Sequence, residues 1–276
     1  MDQGIGGHST VFSSTGRVDR WWVEPLVTGA GFLGFVVYTT WAMFQAGHYW
    51  SDAYLSPLYS PLFFIDGSLD HQAPLHHAWL GAWPTGWNWW PDWLPKSPAI
   101  FILAGPLAFR MTCYYYRGAY YKAFWADPPS CAVGEPRNDF RGENSFPLIL
   151  QNVHRYFLYL ALGFIVFLSY DVWNALWFKD AAGSESFGIG VGTVVLAINV
   201  LLLGSYTLSC HSLRHLVGGR HDCVSNKPTQ QMTYDCVSCL NQRHMLFAWM
   251  SLVWVGFSDI YVRMCSMGIW TDFRIL

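Results

Sequence analysis

Thiol and imidazole side chains are concentrated in the stretch from Cys210 to His244, which holds four cysteines and four histidines. Its two flanks read Cys-His-Ser-Leu-Arg-His (210–215) and Cys-Val-Ser-Cys-Leu-Asn-Gln-Arg-His (236–244). Thiolates and imidazoles are ligands for iron–sulfur clusters and zinc rather than for calcium or magnesium. The stretch therefore predicts a metal centre.

The two flanks share the pattern Cys-x3-Arg-His, so each offers one thiolate and one imidazole. Two thiolates with two imidazoles form the ligand set of a Rieske [2Fe–2S] cluster. The usual soluble signature, Cys-x-His followed by Cys-x2-His, is absent. The predicted ligands, one cysteine being spare, are Cys210, His215, Cys236, Cys239 and His244. Second choices are His211, His221 and Cys223. Structural zinc and chance clustering of cysteines are the alternatives.

The segments that must position these ligands are predicted to be membrane helices. Of the 276 residues, 53% are hydrophobic and 12% are charged, against about 25% charged in soluble domains. Spanning helices need about 20 apolar residues, and the sequence predicts five: about Pro25 to Gly47, Pro98 to Tyr116, Phe146 to Tyr170, Phe187 to Ser209 and His244 to Met267. We expect an all-α polytopic membrane protein, with a cytoplasmic segment 1–24 and a single five-helix domain 25–276.

The basic residues predict how the bundle is oriented. With the N-terminus in the cytoplasm, twelve Lys and Arg lie on or near the cytoplasmic side and four on the other, as retention of positive charge requires. The Cys/His hairpin 210–244 is then cytoplasmic, and loop 48–97, rich in tryptophan, lies at the outer interface. The net charge of −2 argues against nucleic acid as a partner.

Two groups at the predicted inner ends of the spans suit a quinone site close to the metal centre. Arg20 and Trp21 precede the first span, and Arg155 and Tyr156 enter the third. A quinone needs an apolar slot with donors to its carbonyl oxygens. The alternative is that these residues simply anchor the helix ends at the interface.

Charged residues inside membrane spans are candidates for a functional role. Asp259 and Arg263 lie four apart on the fifth span, so we expect them to pair, with an outer quinone site or proton path as the alternative. Arg110, near the end of the second span, is expected to reach the inner surface or the quinone pocket.

The five-pass topology and the two Cys/His flanks resemble the cytochrome-b-type membrane anchor of succinate dehydrogenase, specifically the actinobacterial type 1 anchor. The resemblance implies a multi-pass subunit of a bacterial plasma-membrane enzyme, without a succinate site of its own. Flavoprotein and iron–sulfur subunits dock on its cytoplasmic face, and menaquinone accepts the electrons. It also implies a Rieske-like [2Fe–2S] cluster in place of haem, and allows a higher oligomer of the complex.

Two rival functions remain open at this point. A b-haem quinone reductase anchor of the di-haem type needs four axial histidines on membrane helices, whereas the spans offer His154, with His48 at an outer end. A variant of this alternative has a single haem held by His154 and by either His211 or His215. The other rival is a non-redox membrane protein whose hairpin binds structural zinc.

Overall fold

The computed structural model describes residues 19–67, 72–125, 145–146, 148–179, 184–219 and 227–276. Helices dominate these residues. In chain order the helices are α1 Val23–Gln45, α2 Ala99–Ile102, α3 Ala104–Met111, α4 Tyr114–Tyr120, α5 His154–Asn174, α6 Val191–Leu208, α7 His211–Gly218, α8 Pro228–Asn241 and α9 His244–Ser266.

Four stretches of the described chain are helical, long and apolar enough to cross a membrane: Val23–Gln45, Ile149–Asn174, Val191–Leu208 and His244–Ser266. They lie where the first, third, fourth and fifth spans were predicted, with ends that differ by a few residues. Their sequences are apolar on most faces, as lipid-facing helices require. On α1, for example, Leu26, Val27 and Val37 are all exposed.

The second predicted span is interrupted. The prediction of one continuous helix from Pro98 to Tyr116 is wrong, because Cys113 adopts an extended conformation with φ −68° and ψ 130°. This residue separates α3 from α4, and a π-helical turn, Tyr121–Trp125, follows α4. The longest apolar helical piece, Ala99–Met111, is shorter than the four spanning helices.

Helix α9 is packed against α6 and α1, while α5 lies between α3 and α6. We call the end of the bundle that carries Cys113 and Cys210 the cysteine end. A buried aromatic core that includes Phe32, Tyr116 and Tyr206 fills this end. The first turns of α1, α5 and α9 therefore converge where α3 and α6 finish.

The opposite end, which we call the loop end, carries residues 46–67 and 72–97. Two short antiparallel hairpins lie there, β1 Trp50–Ser51 with β2 Tyr54–Leu55 and β3 Trp177–Lys179 with β4 Glu185–Phe187. The expectation of an all-α chain is corrected to this extent. Of the tryptophans in the loop, Trp83 packs edge-on against Trp87 and Trp90, whereas Trp89 and Trp93 are exposed.

A buried ion pair ties the loop end together. Asp259 and Arg263 on α9 are 0% and 1% exposed, and their side chains lie 3.3 Å apart, which confirms the predicted pairing. Asp259 also accepts hydrogen bonds from the Tyr38 hydroxyl on α1 (2.5 Å) and from Ser56 in the loop. Arg263 Nη1 donates to the backbone oxygen of Gly47 (2.9 Å). These contacts join α9, α1 and the loop.

We expect Asp259→Asn to destabilise the bundle by about 3–5 kcal/mol, because it leaves a buried guanidinium without its counter-charge. Thermal unfolding of the detergent-purified protein, followed by tryptophan fluorescence, measures the loss. Lys179→Ala is the matched control, since it breaks an exposed pair with Glu185, and exposed pairs contribute about 0–1 kcal/mol. Equal unfolding temperatures for the two variants would contradict the structural role of Asp259.

Candidate metal centre

Cys113 and Cys210 occupy matching breaks between consecutive helices. Cys210 follows α6 and precedes α7 with φ −64° and ψ 136°, close to the dihedral angles of Cys113 between α3 and α4. Both side chains are buried, each 2% exposed. Each cysteine occupies the N-cap position of a short helix, α4 or α7.

The environment of Cys210 carries opposing effects on its thiol. Burial raises the pKa of the Cys210 thiol, whereas hydrogen bonding with the backbone of Ser212 and Leu213 lowers it. A metal ion bound by the sulfur would shift this balance toward the thiolate, because metal ligation requires a deprotonated cysteine.

A histidine faces each thiol across the bundle. His154, the first residue of α5, places Nε2 3.1 Å from the Cys210 sulfur. His244, the first residue of α9, places Nε2 3.5 Å from the Cys113 sulfur. The cysteine end thus holds two thiol–imidazole pairs contributed by four separate parts of the chain.

The other ring nitrogen of each histidine is fixed by a hydroxyl. Thr112 Oγ1 lies 2.8 Å from Nδ1 of His154, and Ser209 Oγ lies 2.6 Å from Nδ1 of His244. With Nδ1 engaged in this way, Nε2 is the nitrogen available to the sulfur. Outer partners of this kind orient the imidazoles of metal sites.

Aromatic rings hold the imidazoles from the sides. The Phe109 ring stacks on His154 with centroids 4.6 Å apart and an interplanar angle of 11°. The Tyr206 ring lies 5.0 Å from His244 at 27°. The Tyr206 hydroxyl is buried without a hydrogen-bond partner among the described residues. The centre is therefore enclosed by apolar surface, with one unsatisfied polar atom beside it.

The predicted ligand set is only partly brought together. Cys210 and His244 reach the centre, whereas His215 is exposed on α7 with its Nε2 3.1 Å from His211 Nε2. Cys236 and Cys239 are exposed on α8. Among the described residues no three His, Cys, Asp or Glu side chains form a group that could hold a metal ion, so the five predicted ligands do not assemble.

The second choices, His221 and Cys223, lie outside the described residues, and His211 pairs with His215 away from the centre. Two residues of the centre, Cys113 and His154, were not among the predicted cluster ligands, and His154 was considered only as a haem ligand. A signal for both was present in the sequence. Each lies at the same predicted inner level as Cys210 and His244, and Thr112-Cys113 repeats the hydroxyl–cysteine order of Ser209-Cys210.

The predicted quinone residues are spread over two faces. Arg20 is exposed and Trp21 half-buried just before α1, while Arg155 and Tyr156 are exposed on α5. A cavity of about 220 Å³ opens instead between α1, α4 and α9. Its lining includes Glu24, Thr28, Tyr115, Tyr116, Lys122 and Trp249. None of the four predicted residues is part of that lining, but α1 contributes to it from its first turn.

Four helices of spanning length with a buried thiol–imidazole centre at one end define a multi-pass membrane subunit. The chain belongs to the family described as actinobacterial succinate dehydrogenase subunit SdhC, which it matches over residues 23–268. It is therefore a membrane-anchor subunit of a succinate dehydrogenase complex, an oxidoreductase, and the resemblance stated from its sequence is confirmed.

A solved structure supports this assignment over nearly the whole chain. The "Mycobacterium smegmatis Sdh1 complex in the apo form" contains a chain that is 42% identical, with a TM-score of 0.81. The alignment covers 95% of this chain and 94% of that one. The search of curated proteins found no match.

The two sets of cysteines should differ in reactivity. In membranes that contain this subunit without its partners, we expect a maleimide to label Cys236 and Cys239 readily, because both are exposed. Cys113 and Cys210 should react only after denaturation, since buried thiols are inert. Mass spectrometry of the labelled peptides makes the comparison. Labelling of Cys113 in the folded chain as fast as Cys236 would contradict the described packing.

Proposed function

We propose that Cys113, His154, Cys210 and His244 bind a Rieske-like [2Fe–2S] cluster, and that the subunit passes electrons from a docked iron–sulfur subunit to menaquinone. The observation that carries the proposal is the pair of thiol–imidazole contacts at the cysteine end, one buried and one partly buried. A bound cluster would supply one-electron transfer at this point of the membrane. Succinate oxidation is assigned to the partner subunits.

The donor set fits this cofactor better than the alternatives do. Two thiols and two imidazoles are the ligands of a Rieske centre, with the thiolates on one iron and the imidazoles on the other. The cysteine end brings two of each side chain together. A mononuclear zinc site needs four ligands around one point, which the described residues do not supply. A haem between His154 and His215 is less well supported, since His215 is paired with His211 on an exposed face.

Four neighbouring side chains support the proposed ligands. The Thr112 and Ser209 hydroxyls hold the imidazoles in register, and the Phe109 and Tyr206 rings exclude water. Such outer contacts set ligand orientation and the polarity around a redox centre, which in turn tune its potential. In this proposal the protein fixes the position of the cluster, encloses it and tunes its reduction potential.

We infer that the cysteine end faces the cytoplasm of a bacterial plasma membrane. The excess of Lys and Arg on this side supports that orientation. Flavoprotein and iron–sulfur subunits would then dock over α7 and α8, whose exposed side chains include His211, His215, Cys236 and Cys239. The exposed cysteines and histidines of the hairpin are thus candidates for partner contact rather than for metal ligation.

Menaquinone is proposed to bind in the cavity between α1, α4 and α9. The cavity lies beside the centre, since the Tyr115 ring in its lining is 4.9 Å from the His244 ring. Tyrosine and threonine hydroxyls with a tryptophan face provide the donors and the apolar surface that a quinone head requires. Arg20 and Trp21 precede the α1 turn that lines the cavity, whereas α5, with Arg155 and Tyr156, does not contribute to it.

The ligand assignment is tested by serine replacements in the complete complex. We expect Cys113→Ser to abolish the low-temperature EPR signal of the reduced cluster and to lower the iron and acid-labile sulfide content by one cluster, because a thiolate ligand is lost. Cys236→Ser, which changes an exposed cysteine, is the matched control and should retain both. The reverse result, with the signal lost in Cys236→Ser and kept in Cys113→Ser, would overturn the ligand set.

The quinone cavity is tested by filling it. A Cβ on Gly118, which lines the cavity, meets no atom within 4 Å, so Gly118→Leu should project into the space without forcing the backbone. We expect the KM for a soluble menaquinone analogue to rise at least about tenfold, or about 1.4 kcal/mol, with the cluster EPR signal unchanged.

Gly163→Leu on α5 is the control, because its Cβ also meets no atom within 4 Å and it is not part of the cavity lining. It should leave the KM unchanged. An unaltered KM in Gly118→Leu would remove this cavity as the quinone site.

A further inference from the structure

Arg110 is a buried cation near the end of α3. Its side chain is 9% exposed, and no carboxylate among the described residues lies within salt-bridge distance of it. Arg263, by contrast, is buried against the carboxylate of Asp259. A buried cation without a counter-charge stabilises any negative charge that develops near it.

The hydrogen bonds of Arg110 go to neutral acceptors. Nη1 donates to the Tyr116 hydroxyl (2.6 Å) and to the backbone oxygen of Ala248 (3.1 Å). Nη2 donates to the Ser251 hydroxyl (2.9 Å). These contacts fix the direction of the guanidinium through its two terminal nitrogens, but they leave its charge unbalanced. The sequence-based expectation that Arg110 reaches the inner surface does not describe this buried position.

The guanidinium is separated from His244 by one aromatic ring. It lies over the Tyr206 ring, 4.6 Å from its centroid, and the Tyr206 ring packs in turn on His244. The Cys113 N–H also donates a hydrogen bond to the backbone oxygen of Arg110 (3.1 Å). Arg110 is therefore linked to the Cys113–His244 pair through both its side chain and its backbone.

We propose that Arg110 is a positioning residue that raises the reduction potential of the centre; this rests on the proposed cluster. Two thiolates and two neutral imidazoles leave an oxidised two-iron cluster without net charge, and one electron from the iron–sulfur partner adds one negative charge. A fixed cation in a low-dielectric site stabilises that added charge. No bond forms or breaks in this chain and no proton is required.

The other cations near the centre are less suited to this role. Arg214 is held in the hairpin, with its Nε donating to the Ser238 hydroxyl (3.0 Å) and its guanidinium over the Tyr234 ring. Arg243, next to His244, is exposed. Solvent screens an exposed charge far more than a buried one. Of these three cations, Arg110 is the one that is buried beside the centre, where solvent screens its charge least.

The test is a redox titration of the cluster EPR signal in the complete membrane-bound complex. We expect Arg110→Gln to lower the reduced-to-oxidised ratio at a fixed ambient potential at least tenfold, which is about 59 mV for a one-electron couple. Arg110→Lys, which keeps the charge, should show a smaller shift. Arg243→Gln is the matched control for removal of an exposed charge and should shift the potential least.

A second variant decides the matter if Arg110→Gln fails to assemble. Ser251→Asp places a carboxylate against Nη2 of Arg110 and neutralises its charge while keeping the side chain, so it should lower the potential in the same direction. An unchanged potential in the assembled Arg110→Gln or Ser251→Asp variant would overturn this inference. Absence of the signal from the unaltered complex would instead overturn the proposed cluster.

Discussion

Two breaks between consecutive helices, at Cys113 and Cys210, are the constraint on which the described centre depends. Backbone groups within a bilayer must be hydrogen-bonded internally, so a break in a helix is tolerated only where its freed groups find partners. Here the breaks fall at the cysteine end, next to hydroxyl residues, and the Thr112 hydroxyl donates to the Ala108 oxygen (2.7 Å). The extended residue turns each thiol into the bundle, where a continuous helix would present a different face.

The buried charges at the two ends of the bundle serve different purposes. At the loop end, Asp259 and Arg263 neutralise one another and join α9 to α1 and the loop. At the cysteine end, Arg110 has neutral partners throughout. The first arrangement neutralises its charges within the described residues, whereas the second leaves one positive charge without a carboxylate partner there. A cation of the second kind is suited to stabilising negative charge that develops nearby.

The spans could be predicted from sequence because hydrophobicity and length are local properties. The proposed ligand set could not be predicted from local spacing: Cys236 and Cys239 form a Cys-x2-Cys motif, yet both are exposed on α8. The centre draws on four segments distant in sequence, and Cys113 carries no neighbouring cysteine to mark it. The predicted spans place Cys113, His154, Cys210 and His244 at a similar depth, near the inner side of the membrane. The cavity and the burial of Arg110 depend on packing, which no pattern in the sequence encodes.

The contacts around the centre form a closed ring. The segment Thr112-Cys113 holds His154 through its hydroxyl and meets His244 through its sulfur, while Ser209-Cys210 does the reverse. Each half is thus completed by the other, and neither can be altered in isolation. A change in one hydroxyl would be transmitted through an imidazole to the opposite sulfur. In an evolving lineage these positions should consequently be retained or abandoned as a unit.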